Sequence, residues 1–492
     1  MKLSAWDKLT LSVAPKWTLE RLRARAAAGR LVRHFEAAQP GRRTSGWARN
    51  RGDANAVTAM ALAELRLHAR DLVRNNGWAK KAQRVIANNT VGWGIVPRPM
   101  GSASARATEL WKAWADSTEC DSAGRKTFAA IQHLVMRSLA TDGEILVRRR
   151  PRREEDGLTI PLQLQLLEAD YLDTSKDLPK GETGGPIIQG VEFDAIGRRA
   201  AYWLFPEHPG SSRSTGVSSR VPAKDIIHVA YEDRPGQVRG VSWYGASIVP
   251  LKDLDEYEDA ELLRQKIAAC FAAFVTDEDG IGSSVGDEDE EDEELVETFE
   301  PGMIVPLPPG KSITTASPPA VVEGTFSTRH LRKVAAGLLV TYEDLTGDYS
   351  QVNFSSARMA RIAHWGNVRD WQWLMLMPQL CQGVWAWAME AATTAGLMPA
   401  GKHGAEWTAP PMPMLEPDKE AGAYKALVRA GVMTHNEMVR EQGGDPKTHW
   451  KEYAEGQKTL DDLGITLDSD ARKVSAAGLT QERTGAGKGG AE

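Results

Sequence analysis

Gly310-Lys311-Ser312 has the residue types that close a phosphate-binding loop, in which backbone N–H groups and a lysine cradle a nucleotide. That pattern also needs a glycine where this chain has Val305, and prolines crowd the stretch. Lys488 lies among glycines but lacks the Ser or Thr that should follow it. Asp277, Asp279, Asp287 and Asp289 supply carboxylates without calcium-loop spacing, and read as a solvated acidic loop. Ten histidines are scattered, with no His-Glu-x-x-His. His228 lies in an apolar strand pattern and reads as a core or edge histidine rather than a base. Asp142-Gly143-Glu144 pairs two carboxylates, but it falls where a helix pattern gives way to a strand, so a turn accounts for it. Cys120, Cys270 and Cys381 are far apart and read as reduced core thiols of a protein made in a cytoplasm. No catalytic residue, metal site or cofactor site is expected, and the chain reads as a non-enzyme.

What the chain does present is a polar loop between two helices. Before it, His330, Leu331, Val334, Ala335, Leu338 and Leu339 recur at helical spacing. After it, a longer helical pattern runs from Ser355 to about Thr393. Gly347 should break the first helix, and Ser355 or Ser356 should cap the second. The loop offers Asp348, Tyr349, Ser350, Gln351 and Asn353. Without Lys, Arg, His or Cys it is poorly equipped for nucleophilic or metal chemistry, and better suited to brushing against a polymer. A loop held between helices presents its side chains at a fixed place.

Charge is segregated. The net is −6, yet residues 1–100 hold nineteen Lys or Arg against six Asp or Glu, while 277–300 holds thirteen acids and no base. Such asymmetry implies different partners at different places. The arm at 1–53, with Arg21, Arg23, Arg25, Arg30, Arg42, Arg43, Arg49 and Arg51, reads either as a nucleic-acid or acidic-surface contact or as a solvated terminus. No eighteen-residue apolar run is present, so no membrane span is expected. Sixteen Trp against nine Tyr imply large buried contacts, within or between subunits.

The remaining pattern is α+β. Helices are expected over Ala54–Val73, ended by a left-handed cap at Asn75-Asn76-Gly77, and over Trp78–Asn88. A short strand follows at Trp93–Pro97. Two more helices carry Leu110, Trp111 and Trp114, then Phe128, Ile131, Leu134, Val135 and Leu139. From Gly143 the period changes to two, giving strands at Ile145–Arg148, Leu162–Leu166, Ile188–Phe193, Ala201–Phe205 and Val221–Val229 in an antiparallel sheet. A helix with an acidic face (Asp253, Asp255, Glu256, Glu258, Asp259, Glu261) should run from about Gly245 to Val275, ending in small residues from Ala268 to Ala273. Short strands follow at Met303–Leu307 and Ile313–Thr315, and a helix from Thr328 to Leu345. Pro378 should kink the long helix. Pro417 suits a helix first turn, and Thr434-His435-Asn436-Glu437 is a capping box. From Ser475 the chain is Gly-rich and polar, the composition of a disordered tail.

The order Ala335-Ala336-Gly337-Leu338, Tyr342-Glu343-Asp344-Leu345, then Tyr349-Ser350-Gln351-Val352-Asn353-Phe354-Ser355-Ser356-Ala357-Arg358 resembles the portal proteins of lambda-type tailed phages. Leu72-Val73-Arg74-Asn75-Asn76, Asp142-Gly143-Glu144, Leu167-Glu168-Ala169-Asp170 and Arg234-Pro235-Gly236-Gln237-Val238-Arg239-Gly240 agree in order. The resemblance spans roughly residues 20–460. It implies a portal-type fold: wing at 54–245, stem helices at 246–276 and 325–345 flanking a clip at 277–324, tunnel loop at 346–356, long kinked wing helix at 357–400, and crown at 401–470, with the tail at 471–492. It implies a self-assembled ring, a dodecamer in that family, at a capsid vertex of the virion, assembled in the host cytoplasm. Double-stranded DNA would pass its channel, lined by Asp348, Tyr349, Ser350, Gln351 and Asn353. Terminase large subunit, major capsid and scaffold proteins, and head-tail joining proteins would be its partners. The alternative is a non-enzymatic, basic-armed DNA-binding or scaffold protein of the phage head.

Overall fold

Phe128, Ile131, Val135, Met136 and Leu139 recur on one face of a helix, and all five are buried in the main apolar core. This helix, Phe128–Asp142, is capped by the Thr127 hydroxyl and ended by Gly143 at φ +86°. In this computed structural model the described residues are 52–269, 273–277, 311–315, 325–470 and 472–474. The chain divides into two units, 1–57 and 58–492. The first lies almost wholly outside the described residues. So do Cys270, residues 278–310 with their acidic run and the strand expected at Met303–Leu307, and everything after 474.

In the second unit the helices are α1 (Leu62–Asn75), α2 (Gly77–Val91), α3 (Ser104–Ala115) and α4 (Phe128–Asp142). The helix expected from Ala54 is interrupted at Met60 and Ala61. Asn76 is extended, at φ −104° and ψ 124°, not left-handed. Its side chain instead accepts the Ala79 N–H at 2.9 Å and so opens α2. Asn76 thus separates two helices by capping the second.

The period-two region forms two antiparallel sheets rather than one. β2 (Glu144–Pro151) is central to the first, between β3 (Leu162–Glu168) and β8 (Ile226–Ala230). The second runs β4 (Gly184–Ile188), β5 (Val191–Asp194), β6 (Arg199–Leu204), β7 (Ser219–Pro222). Two expected strands are each two strands. Gln189 (φ +47°) and Gly190 (φ +87°) turn the chain between β4 and β5, as tight hairpins with two left-handed central residues do. Beyond Pro222 a single 3-10 turn, Ala223–Asp225, moves the chain from the second sheet to the first. A short ribbon pairs β1 (Val96–Pro99) with β11 (Ala405–Thr408).

α5 covers Ile248–Ala269, and the chain is then extended in β9 (Ala273–Asp277), where a helix was expected. β9 pairs with β10 (Lys311–Thr315), which includes the strand expected at Ile313–Thr315. The expected helix from Thr328 to Leu345 is two: α6 (Thr325–Gly337) and α7 (Tyr342–Thr346). Between them Leu339 takes φ +57°, a conformation that cannot continue a helix of L-residues.

The long helix is α8 (Phe354–Asp370), a π-helical stretch Trp371–Cys381, and α9 (Gln382–Thr394). Pro378 lies inside the π stretch. There the Gln382 N–H is accepted by the Met377 carbonyl, five residues back. Pro378, where a kink was expected, thus lies in a widened register, a known irregularity of helices. Trp365, Trp371, Trp385 and Trp387 are buried while Trp373 is exposed. Trp111 packs 5.1 Å from Trp385 and 5.4 Å from Trp114, so much of the tryptophan surplus serves the subunit's own core. Cys120 and Cys381 are buried free thiols, and burial pushes the Cys120 thiol up to about 12. Pro417 opens α10 (Pro417–Arg429), the capping box opens α11 (His435–Glu441), and α12 (Pro446–Asp462) follows.

Candidate functional site

α7 ends at Gly347, whose φ of +76° gives it a left-handed cap. From there to α8, Asp348, Tyr349, Ser350, Gln351 and Asn353 are all exposed. The loop is nevertheless locally ordered by its own groups. The Asp348 carboxylate accepts the Ser350 N–H at 3.0 Å and the Tyr342 hydroxyl at 3.1 Å, and hydrogen bonding from the Ser350 hydroxyl, the Ser350 N–H and Tyr342 holds it below the usual carboxylate range. Asn353, not Ser355 or Ser356, caps α8 by accepting the Ser356 N–H at 2.8 Å. Its side chain is therefore committed to the helix. A Cβ on Gly347 would lie 3.0 Å from the Lys81 Nζ. A cation from α2 thus stands beside a loop that carries none of its own.

Both flanks of the loop are pinned. His364 of α8 reaches the Leu339 carbonyl at 3.1 Å through Nδ1 and Asn89 at 3.1 Å through Nε2. A carbonyl only accepts, so Nδ1 carries the proton. Asn367 donates to the same carbonyl at 3.2 Å. The left-handed corner at Leu339 is thereby tied to the helix that follows the loop. Burial lowers the His364 pKa, against the opposing charge of Asp344.

A second constellation was legible only as separate motifs. Glu144, the first residue of β2, has a side chain fully removed from solvent. Its Oε1 accepts from Arg239 Nη2 at 2.6 Å and Nε at 2.9 Å; its Oε2 accepts from His228 Nε2 at 2.9 Å and the Gly240 N–H at 3.0 Å. Arg66 Nη1 stands 3.4 Å from Oε1. Arg239 Nη1 donates to the Gln189 carbonyl at 3.0 Å, which links the hub in the first sheet to the hairpin turn of the second. Arg199 Nη1 lies 3.1 Å from His228 Nδ1. Because arginine only donates, Nδ1 is bare and His228 is neutral, donating through Nε2. Burial opposes the charge on Glu144, but Arg239 and the His228 hydrogen bond outweigh it and hold the carboxyl well below its ordinary range. Burial also lowers the pKa of His228.

Next to the hub, Arg70 forks onto Asp142 at 2.8 and 2.7 Å and reaches Asp170 at 2.6 Å. Glu168, Asp170 and His208 are close enough together to hold a metal ion. The Arg70 Nη2, 2.6 Å from Asp170 and 3.2 Å from Glu168, already supplies the positive charge there. The turn reading of Asp142-Gly143-Glu144 holds for Gly143. For the two carboxylates it misses their work as anchors of arginines, Arg70 half-buried and Arg239 fully buried, and His228 is a core histidine bound to Glu144. Alternation along β2 offered one signal: Glu144 shares its face with the buried Leu146.

The arrangement is that of a structural scaffold displaying an exposed polar loop, and comparison with known proteins gives it a class. The family described as phage portal protein, lambda family, matches residues 40–372. The chain belongs to that family, a structural one of the head-tail connector. Among individual relatives, it is 27% identical over 482 residues to the probable portal protein of Halomonas phage phiHAP-1, covering 92% of this chain and 91% of that protein. It is 24% identical to the portal protein of Escherichia phage N15, over 77% of this chain and 80% of that protein. Portal protein B of Escherichia phage lambda is 23% identical, with 77% and 80% covered. A chain from the neck of an empty GTA particle, computed with C6 symmetry, is similar at TM-score 0.48 and 13% identity, covering 77% of this chain and 94% of that one. No described helix is long and apolar enough to cross a membrane.

Proposed function

We propose that this portal protein is the subunit of a ring at a capsid vertex of a tailed phage, through which double-stranded DNA is packaged and ejected. The observation that carries the reading is the family match across 40–372, with relatives named as portal proteins aligned over most of their length. In this reading the protein assembles in the host cytoplasm and remains in the virion. The terminase large subunit and the head-tail joining proteins dock on the ring, and major capsid and scaffold proteins surround it. The divisions follow those of the family: wing 54–245 and 357–400, stem 246–276 and 325–345, clip 277–324, crown 401–470.

Assembly through α5, α6 and the long helix is supported by what those helices leave uncovered. Leu262 and Leu263 on α5, and Met359, Ile362, Trp373 and Leu374 on the long helix, are exposed large apolar side chains. Apolar side chains of this size left exposed on the helices expected at a subunit contact support that assembly. Asp253, Glu256, Glu258 and Asp259 are exposed on α5. An acidic wall suits a conduit, because basic surfaces bind DNA tightly by counterion release and would hold it still. The loop at 346–356 lines the narrowest part of the channel, with Tyr349, Ser350 and Gln351 touching the duplex. Negative-stain imaging of the purified protein tests the ring: closed rings with a central hole are expected, and monomers or dimers at every salt and protein concentration would refute it.

A further inference from the structure

β2 outruns its neighbour β8, whose pairing ends at Arg148↔Ile226, while β3 continues alongside as far as Pro151. The unpaired flank of β2 faces β7 of the second sheet across an open cleft of about 330 Å³. Five arginines line it: Arg148, Arg149, Arg150, Arg152 and Arg220, against one acid, Asp225. Two of the five are neutralised elsewhere, Arg149 by Glu390 at 2.8 Å and Arg220 by the buried Glu192 at 2.8 Å. Arg152 donates to the neutral Gln163 at 2.8 Å. Arg148 and Arg150 project from the same face of β2, two residues and so about 6.7 Å apart. Neither side chain makes a hydrogen bond or ion pair with another described residue. The acids of the next turn, Glu154, Glu155 and Asp156, form no ion pair with them either. Partial burial and the neighbouring Arg150 both disfavour the charge on Arg148, and Asp225 only partly offsets them. Like charges gathered in a concave, half-dry place, with their acids directed elsewhere, are costly unless an anion completes them.

We propose that this cleft binds a backbone phosphate of double-stranded DNA, as a contact separate from the 346–356 loop. The proposal rests on the portal reading only for where the DNA comes from. Guanidinium forks match phosphate oxygens in pairs. The apolar lining is slight, Pro151, Val221 and Pro222. A docked acidic protein would want an apolar or aromatic anchor at the centre of its contact, whereas phosphate binding needs charge alone. The cleft therefore favours nucleic acid over an acidic peptide.

The test is binding of a short labelled duplex to the full chain across a salt series, for the parent and for Arg148→Gln/Arg150→Gln. Each lost phosphate contact lowers the slope of log affinity against log salt by about 0.9, so a fall of about 0.9 is expected for this one phosphate. Lys447→Gln/Lys451→Gln, exposed on α12, removes equal charge and should change the slope far less. An equal fall in that control, or an unchanged slope in a folded Arg148/Arg150 variant, overturns the proposal. If Arg148→Gln does not fold, Arg150→Gln/Arg152→Gln carries the same test. Loss of poly-glutamate binding with the duplex slope intact would assign the cleft to an acidic protein. Arg148-dependent stabilisation by inorganic phosphate with the slope intact would assign it to a free anion. Either overturns the DNA assignment. Rings imaged on the same samples separate the outcomes: rings with an unchanged slope sink this site alone, and absent rings sink the portal reading.

Discussion

Arg239 and Glu144, ninety-five residues apart in sequence, meet through two guanidinium nitrogens at 2.6 and 2.9 Å with both side chains wholly shielded from water. A buried pair of this kind adds little net stability over an apolar pair of similar volume. Removing one partner alone strands the other charge and costs about 3–5 kcal/mol. Glu144→Ala is therefore expected to lower the unfolding free energy by that amount in urea titrations. The double change Glu144→Met/Arg239→Met should cost distinctly less than the sum of the single changes. Additive losses would show that the pair does not act as a unit.

Stability should fall with acid earlier than carboxylate titration explains. His228 and His364 are held neutral with lowered pKa values, so the unfolded chain takes up their protons first. Their contribution is complete above the unfolded histidine value of about 6.5 and is lost as pH falls below it. Glu144, whose folded pKa is depressed, adds its own loss only below about 4.5. Unfolding free energy measured at pH 7 and pH 5 should drop in the parent. His228→Gln should flatten part of that drop, because glutamine can still donate to Glu144 without titrating. An identical pH dependence in the variant would contradict the neutral assignment.

Gly143 and Gly240 bring two backbones together, and neither can carry a side chain. A Cβ on Gly143 would stand 2.2 Å from the Val241 carbonyl carbon, and one on Gly240 would stand 2.1 Å from the Gly143 oxygen. Gly143→Ala also pays for φ +86°, about 1–2 kcal/mol by itself. Gly157, at φ +70° with open space around it, isolates that conformational cost. Thermal melting should show Gly157→Ala mildly destabilised and Gly143→Ala far more so. Equal effects would mean that the close approach is not rigid.

If the loop lines the proposed channel, Asp348→Lys/Gln351→Lys should leave rings intact but reduce the length or rate of DNA packaging, since each added cation would attract phosphate where the duplex slides. Lys81 already lies beside Gly347, so the added charges compound an existing one. Gln39→Lys/Asn50→Lys, on the basic arm, should matter far less. Full-length packaging at the parental rate by the loop variant would move the channel contact elsewhere.

Local chemistry was readable in the residues themselves. Gly347 ends α7, Thr434 and Glu437 box α11, Pro417 opens α10, and the shift from helical to period-two spacing falls at Gly143, because each depends on neighbours within a few positions. The exposed set at Asp348, Tyr349, Ser350 and Gln351 was readable for the same reason: a polar run between two helical patterns has no core to join. Three places depart from that local pattern, for separate reasons. Asn76 caps forward rather than backward because its side chain finds the Ala79 N–H. Gln189 and Leu339 adopt left-handed backbones that their residue types do not advertise, held by contacts from Arg239 in one case and His364 in the other. Pro378 was readable as an irregularity of the long helix, but not the π-helical register in which it lies. What only the tertiary structure decided is the convergence of three distant motifs. Asp142 with Glu144, Asp170, and Arg239 with Gly240 come together around buried guanidinium groups. Charge pairing at that range depends on where two sheets and a helix end meet, and no local spacing encodes that meeting.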